Sequence, residues 1–340
     1  MKKDRKRFFL SLTAMLVIFL LCFFLSFLLG RYPIAPNSLI KILISKCFPV
    51  AVTWKPEMET ILFQVRLPRV IMACLIGAAL SCAGAAFQGI FQNPMVSPDV
   101  LGASQGAGFG AAAAIYFSFG SFGITLCSFG FGLVTVLLVS FISRKIKSNR
   151  TLGLVLSGIL IGSLFSSATS FLKLVADPTN VLPAITYWLM GSLASIRRQD
   201  VMFSALPILA GMLPICLLGW KINLLTLGDD EAHSLGVPVE LLRNSIILCC
   251  TLTTAACVSV SGMIGWVGLV IPHFARMIVG PDYRSLLPVS MLLGGSFLLI
   301  VDDLSRLMTT SEIPIGILTA FVGAPFFLYL LIREGNQVES

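Results

Sequence analysis

The chain has 340 residues, of which 56% are hydrophobic and only 12% charged, and its mean hydropathy is +0.94. Average domains carry about 25% charged residues, so this chain cannot cover a water-facing surface; a soluble enzyme is excluded and an all-α polytopic membrane protein is implied. The formal net charge of +8 does not signal nucleic acid, because much of it sits in short basic tracts beside apolar runs, the pattern of cytoplasmic anchors.

The N-terminus carries Lys2, Lys3, Arg5, Lys6 and Arg7 and then an apolar run over 8–29. That run imitates a signal peptide. It is too long for an ordinary apolar core of one, no small-residue cleavage site stands near Gly30, and it can cross a hydrocarbon layer of about 30 Å. It is read as an uncleaved first span. The stretch 31–67 follows as a polar external connection with Pro33, Pro36, Pro49 and Pro56. Of nine cysteines, Cys47 alone falls in a clearly polar loop. Without any Cys-x-x-Cys, the others read as small hydrophobes, and neither a disulfide framework nor a zinc site is implied.

Arg66-Leu67-Pro68-Arg69 opens a second span over 68–90, with proline where the first helical turn tolerates it. Its two arginines read equally well as interfacial anchors or as cations facing acidic groups of a partner. Asn93-Pro94-Met95-Val96-Ser97-Pro98 is a rigid turn into a third span, 99–118. There Gly102-Ala103-Ser104-Gln105-Gly106 matches the hydrolase Gly-x-Ser-x-Gly elbow in letters only. No strand precedes it, and the two histidines, His233 and His273, lie in a loop and in another span. Gly102, Gly106 and Gly110 recur every four residues and are read as a packing ridge for a neighbouring helix.

A fourth span, 122–143, leads to the basic tract Arg144, Lys145, Lys147 and Arg150, on the same side as the N-terminal tract, and to a fifth span, 151–174. The external stretch 175–199 contains an apolar segment, 182–193, too short to cross. Such re-entrant or surface helices occur where backbone lines a cavity. After a sixth span, 200–220, the cytoplasmic stretch 221–243 holds a short polar helix at about 229–235, stopped by Gly236 and Pro238; it suits a docking knob for a partner. Spans 244–262 and 263–280 are separated only by Ser261-Gly262-Met263-Ile264-Gly265. Spans 286–308 and 312–333 complete a set of ten, with both termini cytoplasmic. His273 and Arg276 lie one turn apart, and Asp302 and Asp303 stand near a span end with Arg306 four residues after Asp302. Helix-end ion pairing is favoured over a proton relay, because no carboxylate stands clearly at mid-span. There is no Gly-x-x-x-x-Gly-Lys-[Ser/Thr], so if ATP drives this protein another chain binds it.

Taken together, Arg66-Leu67-Pro68-Arg69, Gly77-Ala78-Ala79-Leu80 with Gly84, Gln92-Asn93-Pro94, Leu101-Gly102 with Gly106-Ala107-Gly108, Leu235-Gly236-Val237-Pro238, Gly265-x-x-Gly268-Leu269-Val270-Ile271-Pro272-His273 and Glu312-Ile313-Pro314-Ile315-Gly316 with Gly323-Ala324-Pro325 resemble, in one order, the FecCD-type permeases of iron-chelate importers. That family includes the vitamin B12 importer's permease. The resemblance runs from about Arg66 to Arg333 and implies a single permease domain with the type II ATP-binding-cassette importer fold of ten transmembrane helices. It implies a second permease copy or homologue, two cytoplasmic ATPase subunits that bind ATP and Mg, and an external binding protein, with no cofactor or metal in this chain.

By the same resemblance Arg66, Arg69 and Arg306 would meet carboxylates of the binding protein. Asp229, Asp230, Glu231, Ala232, His233, Ser234, Leu235, Gly236, Val237 and Pro238 would form the ATPase-coupling loop. Arg150, Thr151 and Leu152 would form the cytoplasmic gate, and Asn180, Tyr187 and Trp188 the external gate. Ferric siderophore is the expected cargo, with haem, cobalamin and oxyanions open. An ion-coupled secondary transporter or a membrane scaffold would be the competing classes.

Overall fold

The computed structural model describes residues 2–46, 48, 52–146 and 150–338, and is helical throughout with no strand among them. Its helices are α1 (Lys2–Leu28), α2 (Pro36–Ser45), α3 (Pro56–Thr60), α4 (Leu67–Ile90), α5 (Ala103–Tyr116), α6 (Ser121–Ser143), α7 (Arg150–Val175), α8 (Val181–Leu189), α9 (Arg198–Leu217), α10 (Gly219–Leu225), α11 (Asp229–Ser234), α12 (Val239–Ser261), α13 (Val267–Val279), α14 (Tyr283–Leu307) and α15 (Ile315–Val338). Cys47 and Lys147 lie outside the described residues, as do the side chains of the N-terminal basic tract and of Arg150.

Each of the ten expected spans falls on a helix, but among the described residues seven helical segments are long and apolar enough to cross a membrane: Phe8–Leu28, Pro56–Ile90, Ser121–Ser143, Thr151–Val175, Arg198–Leu217, Val239–Ser261 and Tyr283–Leu307. Val267–Val279 and Ile315–Tyr329 are apolar but shorter, and α5 has only 14 residues. The short helices are those next to breaks. Gly102 (φ +75°) starts α5, and Gly262 (φ +69°) ends α12 before the non-helical 262–266 segment.

The expected polar loop over 31–67 is corrected. α3 continues through a π-helical stretch, Ile61–Arg66, into α4 as one 35-residue helix, and α2 packs Leu39 and Ile42 inward. A π stretch takes up one extra residue per turn. Pro56 stands at the first turn of α3, where its missing N–H is harmless.

α4 is the axis of the bundle, packed by α14, α12, α13 and α9, and from Ala79 to Ile90 every residue is buried. Its small residues allow this. A Cβ at Gly77 would fall on the Gly294 carbonyl of α14, and one at Gly84 on the Gly268 carbonyl of α13. Within lipid, helices gain little from hydrophobic burial against each other, so such backbone-close packing holds them. α1 shows the opposite character: Leu10, Val17, Leu21 and Phe24 are exposed along its length, as suits a helix facing acyl chains.

The glycine ridge of α5 is found in part. A Cβ at Gly106 would strike Thr135, and one at Gly110 the Cys127 carbonyl, both on α6. Gly102 is not on that ridge: it precedes the helix in left-handed conformation and faces Gly158 and Gly162 of α7. Ser104 donates to Asp99, which closes the turn before α5 and leaves no nucleophile.

Candidate functional site

At the end of the bundle that carries α8, the π stretch running into α4, the end of α14 and the segment before α15 bring together three arginines and three carboxylates. Arg69 of α4 donates through Nε to both oxygens of Asp302 (2.9 and 3.0 Å) and through Nη1 to Glu312 (3.0 Å). Arg306 contacts Asp302 (3.3 Å) and, one turn back on α14, Asp303. Ser26 of α1 donates to Asp303 (2.7 Å). Arg66 donates to the carbonyls of Phe27 and Tyr32. Three positive and three negative charges balance, and the Arg69 Nε–H is shared between both Asp302 oxygens while Nη2 lies 2.8 Å from Oδ1, a charge-assisted contact.

Arg66, Arg69 and Arg306 are 4%, 5% and 6% exposed, and each already has partners within its own chain. Removing the carboxylate partners of Arg69 or Arg306 without replacing them would be costly. The ion-pairing reading of Asp302, Asp303 and Arg306 holds, and Glu312 and Ser26 join it. Neither was singled out for this, because charge complementarity between residues hundreds of positions apart leaves no local pattern.

Beside this cluster, α8 is the short apolar helix expected within the 175–199 stretch. Ile185 packs against Ala112 and Ala176, Tyr187 is exposed, and the Asn180 backbone N–H bonds the Asp177 carboxylate (2.7 Å). The chain after α8 is tied by backbone alone: Ser192 N–H donates to Ser261 O (2.7 Å), Ile315 N–H to Gly191 O (2.9 Å) and Gly316 N–H to Met190 O (3.1 Å). Glycines make that approach possible. A Cβ at Gly262 would meet the Trp188 carbonyl, and one at Gly191 would lie 2.6 Å from the Met263 carbonyl. The segment between α12 and α13, the end of α8 and the start of α15 therefore form one joint. Next to it an open cavity of about 600 Å³ is lined by Leu189, Met190, Ile317, Ala320, Phe321 and Pro325, among others. Its lining holds no charged side chain.

At the opposite end α11 projects. Ala232 and Val237 are buried while Asp229, Asp230, Glu231, His233, Ser234, Leu235, Gly236 and Pro238 are exposed, so the acidic N-terminal turn of the helix lies at the surface. Gly236 takes φ +79°; its N–H bonds His233 O (2.9 Å) and Val237 N–H bonds Ala232 O (3.1 Å), a left-handed helix stop of the kind glycine serves. Buried Arg243 of α12 donates to Asp229 (2.6 Å) and fixes the start of α11. Thr151 and Leu152 begin α7, with Leu152 exposed.

Comparison with known proteins agrees with this architecture. The model of the FecCD transport family matches residues 18–333. The molybdate import system permease MolB of Haemophilus influenzae is 40% identical over 310 residues, 90% of this chain and 91% of that protein. The Fe(3+)-citrate import system permease YfmE of Bacillus subtilis is 38% identical and matches over 98% of each chain. A solved structure described as an inward-facing conformation of a metal-chelate type ABC transporter superposes with a TM-score of 0.85 at 37% identity, over 95% of this chain and 98% of that one.

Proposed function

The chain belongs to the FecCD transport family and is the permease of an ATP-binding-cassette importer, and from that premise we propose that it carries an iron-siderophore-type chelate across the cytoplasmic membrane. The observation that supports this cargo is the cavity beside α8. It is roomy, open and lined by alkyl and aromatic groups with no charge. A bulky chelate, its metal already wrapped, can pass such a wall without being trapped. A bare oxyanion would lose its hydration against carbon, which is costly without donors. The likeness to MolB favours an oxyanion as the second reading.

In the proposed mechanism the chain makes no bond. Two permease chains, identical or homologous, enclose the pathway, and both termini lie in the cytoplasm. A separate ATPase subunit grips the exposed face of 229–238, and a binding protein delivers cargo at the α8 end. ATP binding and hydrolysis change the ATPase's affinity for two permease conformations, and that difference shifts their populations. Asn180, Tyr187 and Trp188 close the external side and Arg150, Thr151 and Leu152 the cytoplasmic side. The joint at Gly191, Gly262 and Gly316 obliges α8 to move with α15 and with the start of α13.

The test is uptake by the chain reconstituted in liposomes with its ATPase and binding protein. ATP-dependent accumulation of a ferric siderophore, with none of molybdate, is the expected result. Molybdate uptake alone would replace the cargo assignment. Uptake that persists without ATP but collapses with the proton gradient would remove the importer reading altogether.

A further inference from the structure

Asn223, on α10 within the cytoplasmic stretch 221–243, bridges α10 to the start of α14. Its Nδ2 donates to Asp282 Oδ1 (2.6 Å) and its Oδ1 accepts the backbone N–H of Tyr283 (2.8 Å). Asp282 is the N-cap of α14, and its carboxylate also accepts the Arg284 N–H (3.0 Å). One amide thus closes on both the cap and the first N–H of α14. It needs a donor and an acceptor side by side, which among side chains only a carboxamide supplies at this reach.

α10 is held on its other face as well. Gln92, just past α4, donates to the Leu225 carbonyl (2.8 Å). Ile222 is fully buried over Gly89 of α4, which also meets the Tyr283 ring. Three residues, 226–228, then lead into α11. Beyond Tyr283, Arg276 of α13 pairs with the Tyr283 hydroxyl and donates to Gln88 of α4 (2.9 Å). The other end of α13 is the break that holds α8.

We propose that Asn223 is the positioning residue through which displacement of α11 is passed to α14 and α13, with the Asn223–Asp282 pair as the staple. The proposal rests on the permease reading. α11 has six residues and a mostly exposed surface, so a push on it moves the bundle only if α10 cannot slide. Apolar packing of Ile222 and Leu225 resists separation but not sliding. Two directional hydrogen bonds, one to a carboxylate, resist both.

The experiment uses the full chain with its ATPase and binding protein in lipid, in four forms: wild type, N223A, N223D and N223D/D282N. Two quantities are read: amide hydrogen exchange over 219–228, which is independent of any transport role, and ATP-driven uptake. N223A removes the staple and N223D sets a second carboxylate against Asp282. Exchange should rise about tenfold in both, and uptake should fall by a similar factor while the ATPase still co-purifies. N223D/D282N recreates one donor and one acceptor in reversed order, and both readouts should return towards wild type. Wild-type uptake in N223A, or no recovery in N223D/D282N over N223D, overturns the inference. Loss of the ATPase from N223A also overturns it, since the residue would then serve docking or folding. If exchange responds as expected but the wild-type chain shows no ATP-driven uptake, the staple is real and the permease reading is what fails.

Discussion

Arg69 meets two carboxylates from distant parts of the chain. Its side chain is 6% exposed, Asp302's 1%, and Glu312 completes the set. Arg69→Ala would leave two carboxylates without their main counter-charge, and removing one member of a buried pair costs about 3–5 kcal/mol. The purified variant should show a thermal midpoint several degrees below wild type. Arg69→Ala/Asp302→Ala should recover part of that loss, because it deletes the stranded charge as well; a double variant less stable than Arg69→Ala would contradict the pairing. Asp282 gives the pH counterpart. Burial tends to raise its pKa, but hydrogen bonds from Asn223 and Arg284 and the Arg284 charge together hold it below the ordinary 3.8. A depressed carboxylate stabilises the fold above its unfolded pKa and stops doing so as pH falls through the folded value. The stability difference between wild type and Asp282→Ala should therefore be constant from pH 7 to about pH 5 and shrink only below about pH 4. A change centred near pH 6 would point to another group.

Among the elements, α11 shows why backbone and not bulk is the constraint at its end. A Cβ on Gly236 would meet nothing within 4 Å, but φ is +79°, where a non-glycine residue costs about 1–2 kcal/mol. Gly236→Val should lower ATP-coupled uptake about tenfold by displacing Leu235 and Val237, whereas Gly236→Asn, which tolerates this conformation, should retain most of it. Equal uptake in the two variants would mean that the helix stop is not the sensitive feature. The short polar helix and its stop were legible in the sequence because they are local: an acidic turn, then glycine and proline. So were the apolar α8 and the break between α12 and α13. The helical course of 56–66 was not, because four prolines between 31 and 67 argue for a loop unless one sits at a first turn and a π stretch absorbs the register. The fate of Arg66, Arg69 and Arg306 was hidden for a different reason. Their positions near span ends are compatible with either water or the bundle, and only the folded chain brings Asp302, Asp303 and Glu312 to meet them.

For the whole molecule, the two ends of the bundle differ in what they can exchange with a partner. One end presents acidic, exposed α11 on a joint stapled to α14; the other presents apolar α8 on a joint made of backbone. Between them α4 is buried along its inner length against four helices and meets two of them backbone to backbone at Gly77 and Gly84. On the proposed route, cargo size is limited by the space beside α8, where Ala320 and Phe321 of α15 line a cavity with Leu189 and Met190. Ala320→Trp would fill part of the roughly 600 Å³ there without adding charge. If a bulky chelate passes through that space, its uptake should fall at least about tenfold, a barrier increase of about 1.4 kcal/mol or more, while binding-protein and ATPase association are unchanged. A small oxyanion would pass the same variant at close to the wild-type rate. Uptake of both at wild-type rates would place the route elsewhere among the helices, because a pathway narrowed by an indole cannot be indifferent to the size of what moves along it.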